Sequence, residues 1–185
     1  MILVNEIHKG VVLKIEDELF LVVEFQHVNP GKGGAFVRTK LKNLATGAVI
    51  EKTFRSGDKV EDAEIDERKA TFLYHDNQTY TFMDTENYEQ YILSKEEVGE
   101  SSQWLKENME VKIELYNNKP ISLIMPNFVE LKVTHTEPGV KGDTVSGATK
   151  PAIVETGARV MVPLFVEQED IIKVDTRTGE YIERV

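Results

Sequence analysis

Residues 110–125 read EVKIELYNNKPISLIM, a stretch that favours two strands joined by a tight turn. Val111, Ile113 and Leu115 alternate with charged side chains, so one face of the first strand is apolar and the other is polar. The Asn-Asn pair at 117–118 tolerates the left-handed backbone conformation that a two-residue hairpin turn requires. The pattern predicts a β-hairpin that covers one side of a core.

Four more pairs of short apolar runs flank turn residues elsewhere in the chain. Their turns are expected at Asp17-Glu18, Thr46-Gly47, Asp76-Asn77 and Thr178-Gly179. Only residues 94–108 favour a helix, where Ser94 and Glu97 have the spacing of a capping box and Gly99 divides the segment. Five hairpins and almost no helix predict an all-β chain.

The length of 185 residues fits three consecutive small β-barrels of about 60 residues each better than one large sandwich. The expected domains are residues 1–64, 65–127 and 128–185. The first boundary separates two groups of hairpins, and a proline interrupts two strand patterns at the second. Each barrel is expected to have a core of its own.

Composition excludes several classes of protein. A hydrophobic content of 41% is enough to build a packed core, and the absence of Cys excludes a disulfide scaffold, a thiolate metal site and a Cys nucleophile. No segment approaches the roughly 20 apolar residues needed to cross a bilayer, and the N-terminus does not have the pattern of a signal peptide. The four histidines do not have metal-ligand spacing, and no serine, base and orienter set is present. We therefore expect a cytoplasmic protein without membrane contact, metal or cofactor.

Charge is distributed unevenly along the chain. The net charge is −10, made up of −1 in residues 1–64, −6 in residues 65–127 and −3 in residues 128–185. Residues 25–57 nevertheless carry six basic side chains against one acidic side chain. A basic face on an acidic protein is typical of contact with a phosphate-rich partner such as RNA. The alternative is a solvated strand face that happens to lack acids.

The sequence PGKGG at residues 30–34 lies between two predicted strands. It does not have the order or the following helix of a phosphate-binding P-loop, and it is typical of a hairpin tip. Lys32 is the only large side chain of this tip, and the residues that would hold it are Pro30, Gly31, Gly33 and Gly34. The alternative is an ordinary glycine-rich turn with a solubilising lysine.

Three segments, residues 27–65, 142–152 and 176–185, are similar to the bacterial translation elongation factor P family, and the similarity extends in order over essentially the whole chain. The resemblance implies an SH3-like (KOW-like) barrel followed by two OB-folds in an elongated, L-shaped arrangement. One residue departs from the family pattern. Glu169 lies where the family usually has a glycine, at a turn that is expected to require a positive φ.

The resemblance also implies a function. A family member binds the 70S ribosome beside P-site peptidyl-tRNA, between the P and E sites, and stimulates peptide-bond formation at consecutive prolines. Lys32 would be modified by a dedicated enzyme and would reach the peptidyl-transferase centre. The protein would act as a monomer and as a ribosome cofactor, not as an enzyme.

The remaining expected contacts fall into three sets. Charge alone suggests that Arg38, Lys40 and Lys42 contact tRNA or rRNA phosphates. The resemblance assigns tRNA contact to Tyr181 and Arg184, and the loop that approaches the E-site codon to Gly142, Asp143, Thr144 and Gly147.

Two other functions remain open from the residues themselves. A general single-stranded nucleic-acid-binding OB-fold protein would need a basic groove in its second or third domain, and the charges of −6 and −3 argue against one. An enzyme that forms a Schiff base on Lys32 would need a desolvated lysine, whereas a glycine-rich tip is expected to be exposed.

Overall fold

The computed structural model describes residues 1–139 and 147–185. Within these ranges the chain forms three antiparallel sheets and very little helix. The all-β prediction is confirmed. No helix in the described parts of the chain is long and apolar enough to cross a membrane.

The first sheet comes from the N-terminal third of the chain. Its strands are β1 (Ile2–Leu3), β2 (Val12–Ile15), β3 (Glu18–Val28), β4 (Phe36–Asn43), β5 (Val49–Arg55) and β6 (Lys59–Asp62), and a 3₁₀ turn, Val4–Glu6, follows β1. They pair in the order β1-β6-β2-β3-β4-β5. The buried core of this sheet consists of Val4, Ile7, Leu13, Phe20, Val22, Val37 and Leu41.

The first hairpin turn lies one residue earlier than predicted. Glu16 and Asp17 have φ values of 52° and 67°, and Glu18 already pairs with Ile15 as part of β3. This register puts Phe20 on the buried face of the sheet. A shift of one residue would turn the apolar side chains of β3 toward solvent, so the core selects the turn position.

The second sheet contains β7 (Asp66–His75), β8 (Thr79–Asp84), β9 (Gln90–Ser94), β10 (Glu110–Tyr116) and β11 (Lys119–Ile124). They pair in the order β11-β10-β7-β8-β9. Asn117 and Asn118 have φ values of 49° and 60°, which confirms the predicted turn. Val111, Ile113 and Leu115 are buried as the alternation requires.

The predicted helical segment follows β9. Helix α1 (Lys95–Val98) begins with the expected capping box, since the Glu97 amide donates to Ser94 Oγ at 3.2 Å and the Ser94 amide donates to the Glu97 carboxylate at 2.7 Å. Gly99, with φ 60°, ends α1, and a 3₁₀ helix continues over Gly99–Trp104. The division into two short pieces is confirmed.

One buried carboxylate organises the turn after β8. Burial of Asp84 would raise the pKa of its carboxyl group, but hydrogen bonds outweigh that effect and the pKa is lowered. The donors are the Glu86 amide at 2.7 Å, the Asn87 amide at 3.2 Å and the Tyr91 hydroxyl at 3.1 Å. Asp84 is therefore a charged group that the folded second sheet stabilises.

The third sheet contains β12 (Phe128–Thr136), β13 (Thr149–Val154), β14 (Arg159–Pro163), β15 (Ile171–Asp175) and β16 (Tyr181–Arg184). They pair in the order β14-β13-β12-β15-β16. Before β15, Glu169 has a φ of 76°, as its position at the usual glycine suggested, and its carboxylate pairs with the Lys132 ammonium.

The second and third sheets do not have fully separate cores. Trp104 belongs to the segment between β9 and β10, yet its 4% exposed side chain packs in the core cluster of the third sheet. A Cβ atom added to Gly179, in the turn before β16, would lie 3.4 Å from the Trp104 ring. Met109 and Met125 pack against both cores. The expectation that each barrel has its own core is wrong at this junction, because the third core includes a residue of the segment between β9 and β10.

Candidate functional site

The loop that carries Lys32 joins the ends of β3 and β4. Val28 pairs with Phe36 at its base, and the Ser56 amide donates to the Ala35 carbonyl at 2.8 Å. Residues 29–34 are all exposed, and Lys32 is the only charged side chain among them. The loop therefore presents a single amine to solvent at the end of the first sheet.

The three glycines of the loop are not equivalent. Gly33 has a φ of 120°, a conformation that residues with a Cβ atom rarely adopt. Gly31 and Gly34 do not have a positive φ, and a Cβ atom on either would meet no atom within 4 Å. The backbone shape of the tip thus requires glycine at Gly33, while Gly31 and Gly34 keep the neighbourhood of Lys32 free of side chains. That these residues hold Lys32 for function stays a prediction.

The three basic residues predicted to contact phosphates lie along β4. Arg38, Lys40 and Lys42 alternate with buried residues, so their side chains share the outer face of the strand. Lys40 Nζ lies 2.8 Å from a Glu24 carboxylate oxygen, and this hydrogen bond raises the pKa of Lys40. No carboxylate of the described residues lies within ion-pair distance of Arg38 or Lys42. Arg38 is also exposed, which makes it the most accessible cation of the three.

Lys42 lines a cleft of about 820 Å³ where the three sheets approach one another. Its neighbours in the lining include Arg159 and Arg177 of the third sheet and Glu96 and Glu100 near α1. No pattern in the sequence indicates this cleft, because its walls come from three separate parts of the chain, within residues 42–49, 96–104 and 159–179. Both signs of charge line the cleft, with three basic side chains against two acidic ones.

Tyr181 and Arg184 lie on the same face of β16. A three-residue separation would place them on opposite faces of a regular strand, but the register between β15 and β16 shifts after Lys173. As a result Tyr181 pairs with Val174 and Arg184 pairs with Ile172. The partly buried Tyr181 packs against the third core, and Arg184 stays accessible.

The Arg184 guanidinium is held by two neighbours. Its Cζ lies 5.3 Å from the centroid of the Phe165 ring, and its Nη1 donates to Asp170 Oδ2 at 3.3 Å. Asp170 also accepts a hydrogen bond from the Glu167 amide at 2.9 Å, and this bond, followed by the one from Arg184, lowers the pKa of Asp170. Phe165 and Asp170 gave no signal in the sequence, because the sheet brings them to Arg184 across 14 or more residues.

The loop predicted to approach the E-site codon is only partly visible. Gly142, Asp143 and Thr144 lie outside the described residues. Gly147 is described and has a φ of 91°. Among the described residues, no group of three or more His, Asp or Glu side chains is placed to hold a metal ion.

These features define a chain of small consecutive β-domains with a lysine-bearing loop on the first. Family models of elongation factor P match it in order: the KOW-like domain over residues 3–60, the OB domain over residues 65–123 and the C-terminal domain over residues 129–184.

Full-length relatives agree with the domain matches. The chain is 53% identical over 184 residues to elongation factor P of Moorella thermoacetica and 55% identical over 185 residues to that of Caldanaerobacter subterraneus subsp. tengcongensis, and each match covers 100% of both chains. In fold it is similar to the solved eukaryotic translation initiation factor 5A from Methanococcus jannaschii, with a TM-score of 0.53 and 24% identity over 66% of this chain and 92% of the other. The chain belongs to the elongation factor P family and is a translation elongation factor.

Proposed function

We propose that this elongation factor binds the 70S ribosome between the P and E sites, beside peptidyl-tRNA, and relieves stalling at consecutive prolines. In this proposal the loop at residues 29–35 approaches the 3′ end of the P-site tRNA, and Lys32, lengthened by a modifying enzyme, reaches the peptidyl-transferase centre. The observation that carries the proposal is the exposed amine of Lys32, alone on a tip whose other residues have no large side chain.

The chemistry of proline explains why such a tip would help. Proline reacts through a secondary amine, and its ring restricts the geometry of attack. Holding the tRNA end and the nascent chain in a reactive arrangement lowers the entropic part of the barrier without any group transfer by the factor. The proposed role is therefore positioning, and the reacting groups belong to the ribosome-bound substrates.

The other predicted residues would anchor the factor on RNA. Arg38 and Lys42 are the stronger candidates on β4, because Lys40 already has Glu24 as a partner. In the third domain, Arg184 would contact P-site tRNA, with Tyr181 supporting β16 from the core side. Gly142, Asp143, Thr144 and Gly147 would approach the E-site codon, and an L-shaped arrangement of the domains would set the distance between the two ends.

The test is a polyproline reporter in a reconstituted translation system supplied with factor purified from its own cells. Lys32→Ala is expected to abolish most of the rescue, and Lys32→Arg is expected to fail as well, because a lysine-modifying enzyme cannot act on arginine. Lys9→Ala is the matched control, since Lys9 is another exposed lysine in a glycine-containing turn of the same sheet. Wild-type rescue by Lys32→Ala would refute the role proposed for the tip.

A further inference from the structure

The planar Arg184 guanidinium is held in place by an aromatic ring and a carboxylate. Phe165 is 57% exposed, and the centroid of its ring lies 5.3 Å from Arg184 Cζ. The Asp170 carboxylate binds one guanidinium nitrogen at 3.3 Å and is itself held by the Glu167 amide. The Arg184 side chain remains 48% exposed, so about half of it is accessible to a partner.

The positive charge of Arg184 is largely balanced by the neighbouring Asp170 carboxylate. Asp170 is ionised at neutral pH and lies in contact with the guanidinium. Residues 128–185 carry a net charge of −3, so this domain as a whole does not attract phosphate. A planar guanidinium beside an aromatic ring still offers a π surface after its charge is balanced.

We propose that Phe165 and Arg184 form a stacking platform for an unpaired nucleobase of ribosome-bound RNA, with Asp170 as the residue that positions the guanidinium. This inference rests on the ribosomal role proposed above. It specifies the kind of contact that the third sheet makes with RNA. Stacking on aromatic and guanidinium planes is a general way in which proteins bind single-stranded or splayed-out bases.

A second exposed phenylalanine of the same sheet provides a control. Phe128 is 43% exposed, but two cations lie near its ring, Lys173 Nζ at 5.7 Å and Arg177 Cζ at 5.6 Å. Arg177 is bound by Asp175 through two hydrogen bonds of 3.0 and 2.7 Å. Phe128 therefore matches Phe165 in residue type, exposure and cation contact, at a separate place on the sheet.

The experiment measures the affinity of purified variants for 70S ribosomes that carry a P-site tRNA, over a range of salt concentrations. Phe165→Leu and Arg184→Lys are each expected to weaken binding about five- to tenfold without changing the salt slope, since both keep the charge and lose the stack. Arg184→Gln should weaken binding at least as much. Phe165→Trp and Phe128→Leu should bind as the wild type does.

Asp170→Asn tests the positioning role. It should weaken binding about threefold in the wild-type background, an effect smaller than loss of one stacked base. It should have no further effect beside Arg184→Gln, because the group that it positions is then absent. An equal loss in both backgrounds would mean that Asp170 acts only on the fold.

The outcomes separate this inference from the proposed function. If Arg184→Gln weakens binding while Phe165→Leu or Arg184→Lys binds as the wild type does, Arg184 acts through charge alone and the platform is refuted. If Phe128→Leu weakens binding as much as Phe165→Leu, the effect is a general one on the third sheet and the platform is again refuted. If the wild-type factor does not bind the ribosome at all, the proposed function itself fails.

Discussion

Replacing Trp104 with alanine is expected to loosen the third sheet and its junction with the second. The Trp104 side chain is 4% exposed. A buried indole removes about 150–250 Å² of surface from water, which at about 25 cal/mol/Å² corresponds to about 4–6 kcal/mol. Measured Trp→Ala substitutions in cores cost about 3–5 kcal/mol. We therefore expect the free energy of unfolding of the affected unit to fall by about 4 kcal/mol.

The loss should be local, because Trp104 packs with the core of the third sheet. Hydrogen exchange should accelerate at Leu131 and Ile172, and amides in the first sheet, such as that of Leu41, should keep their protection. Denaturant unfolding followed by far-ultraviolet circular dichroism gives the size of the effect. Trp104→Phe is the matched control and should cost about 1–2 kcal/mol, since it leaves a smaller cavity.

The same experiment can refute the shared core. A loss below about 1 kcal/mol for Trp104→Ala would mean that the indole does not fill the third core. An equal loss of protection in all three sheets would mean that the junction is not the affected unit. A related consequence concerns chains that end near Pro126. They would expose Trp104, because the third core that covers the indole would be absent.

Single substitutions at Glu169, Gly33 and Asp84 test three other features of the structure. Glu169→Gly should raise the free energy of unfolding by about 1 kcal/mol, because glycine adopts a left-handed backbone without strain and the exposed ion pair with Lys132 contributes little. Thermal melts measure the change, with Glu169→Ala as the control. Alanine keeps the backbone strain, so it should not stabilise the protein. Gly33→Ala should reduce rescue of the polyproline reporter severalfold, whereas Gly31→Ala should retain it, because of these two glycines only Gly33 has a positive φ. Equal activities of the two variants would contradict the role of the Gly33 backbone. Because the pKa of Asp84 is lowered by folding, its stabilising contribution is complete above about pH 4 and is lost as the pH falls through its folded-state value. Asp84→Asn should therefore be less stable at pH 7 and should flatten the acid limb of the stability curve, and an unchanged acid limb would contradict the assignment.

Much of the fold is predictable from local sequence. The hairpin at residues 110–125 combines strict alternation with two turn residues that accept a left-handed backbone, so pattern and turn agree. The Ser94–Glu97 capping box and the break at Gly99 likewise depend only on neighbouring residues. The hairpin between β8 and β9 gave no such signal, because its left-handed residue is Tyr88, a type that rarely adopts a positive φ.

Some features of the candidate site are likewise predictable from local sequence, and others are not. The exposure of Lys32 follows from its glycine-rich neighbours, and the outer face of β4 follows from alternation. The surroundings of Arg184 could not be predicted, because they depend on a register shift between β15 and β16 and on side chains brought from a distant turn. Local patterns predict which residues face solvent, and the sheet determines which of them meet.

Directed cleavage of tRNA tests whether the loop bearing Lys32 lies beside the 3′ end of peptidyl-tRNA, as we propose. The chain has no cysteine, so Gly34→Cys provides a single attachment point for an iron–EDTA probe, at a position where a Cβ atom meets nothing within 4 Å. With this variant bound to ribosomes that carry peptidyl-tRNA, we expect hydroxyl-radical cleavage at the 3′ end of the P-site tRNA. A probe at Asn118→Cys, in the exposed turn between β10 and β11, should not cut there. Bound factor that leaves the tRNA 3′ end uncut from position 34, or that cuts it equally from position 118, would refute this placement of the loop.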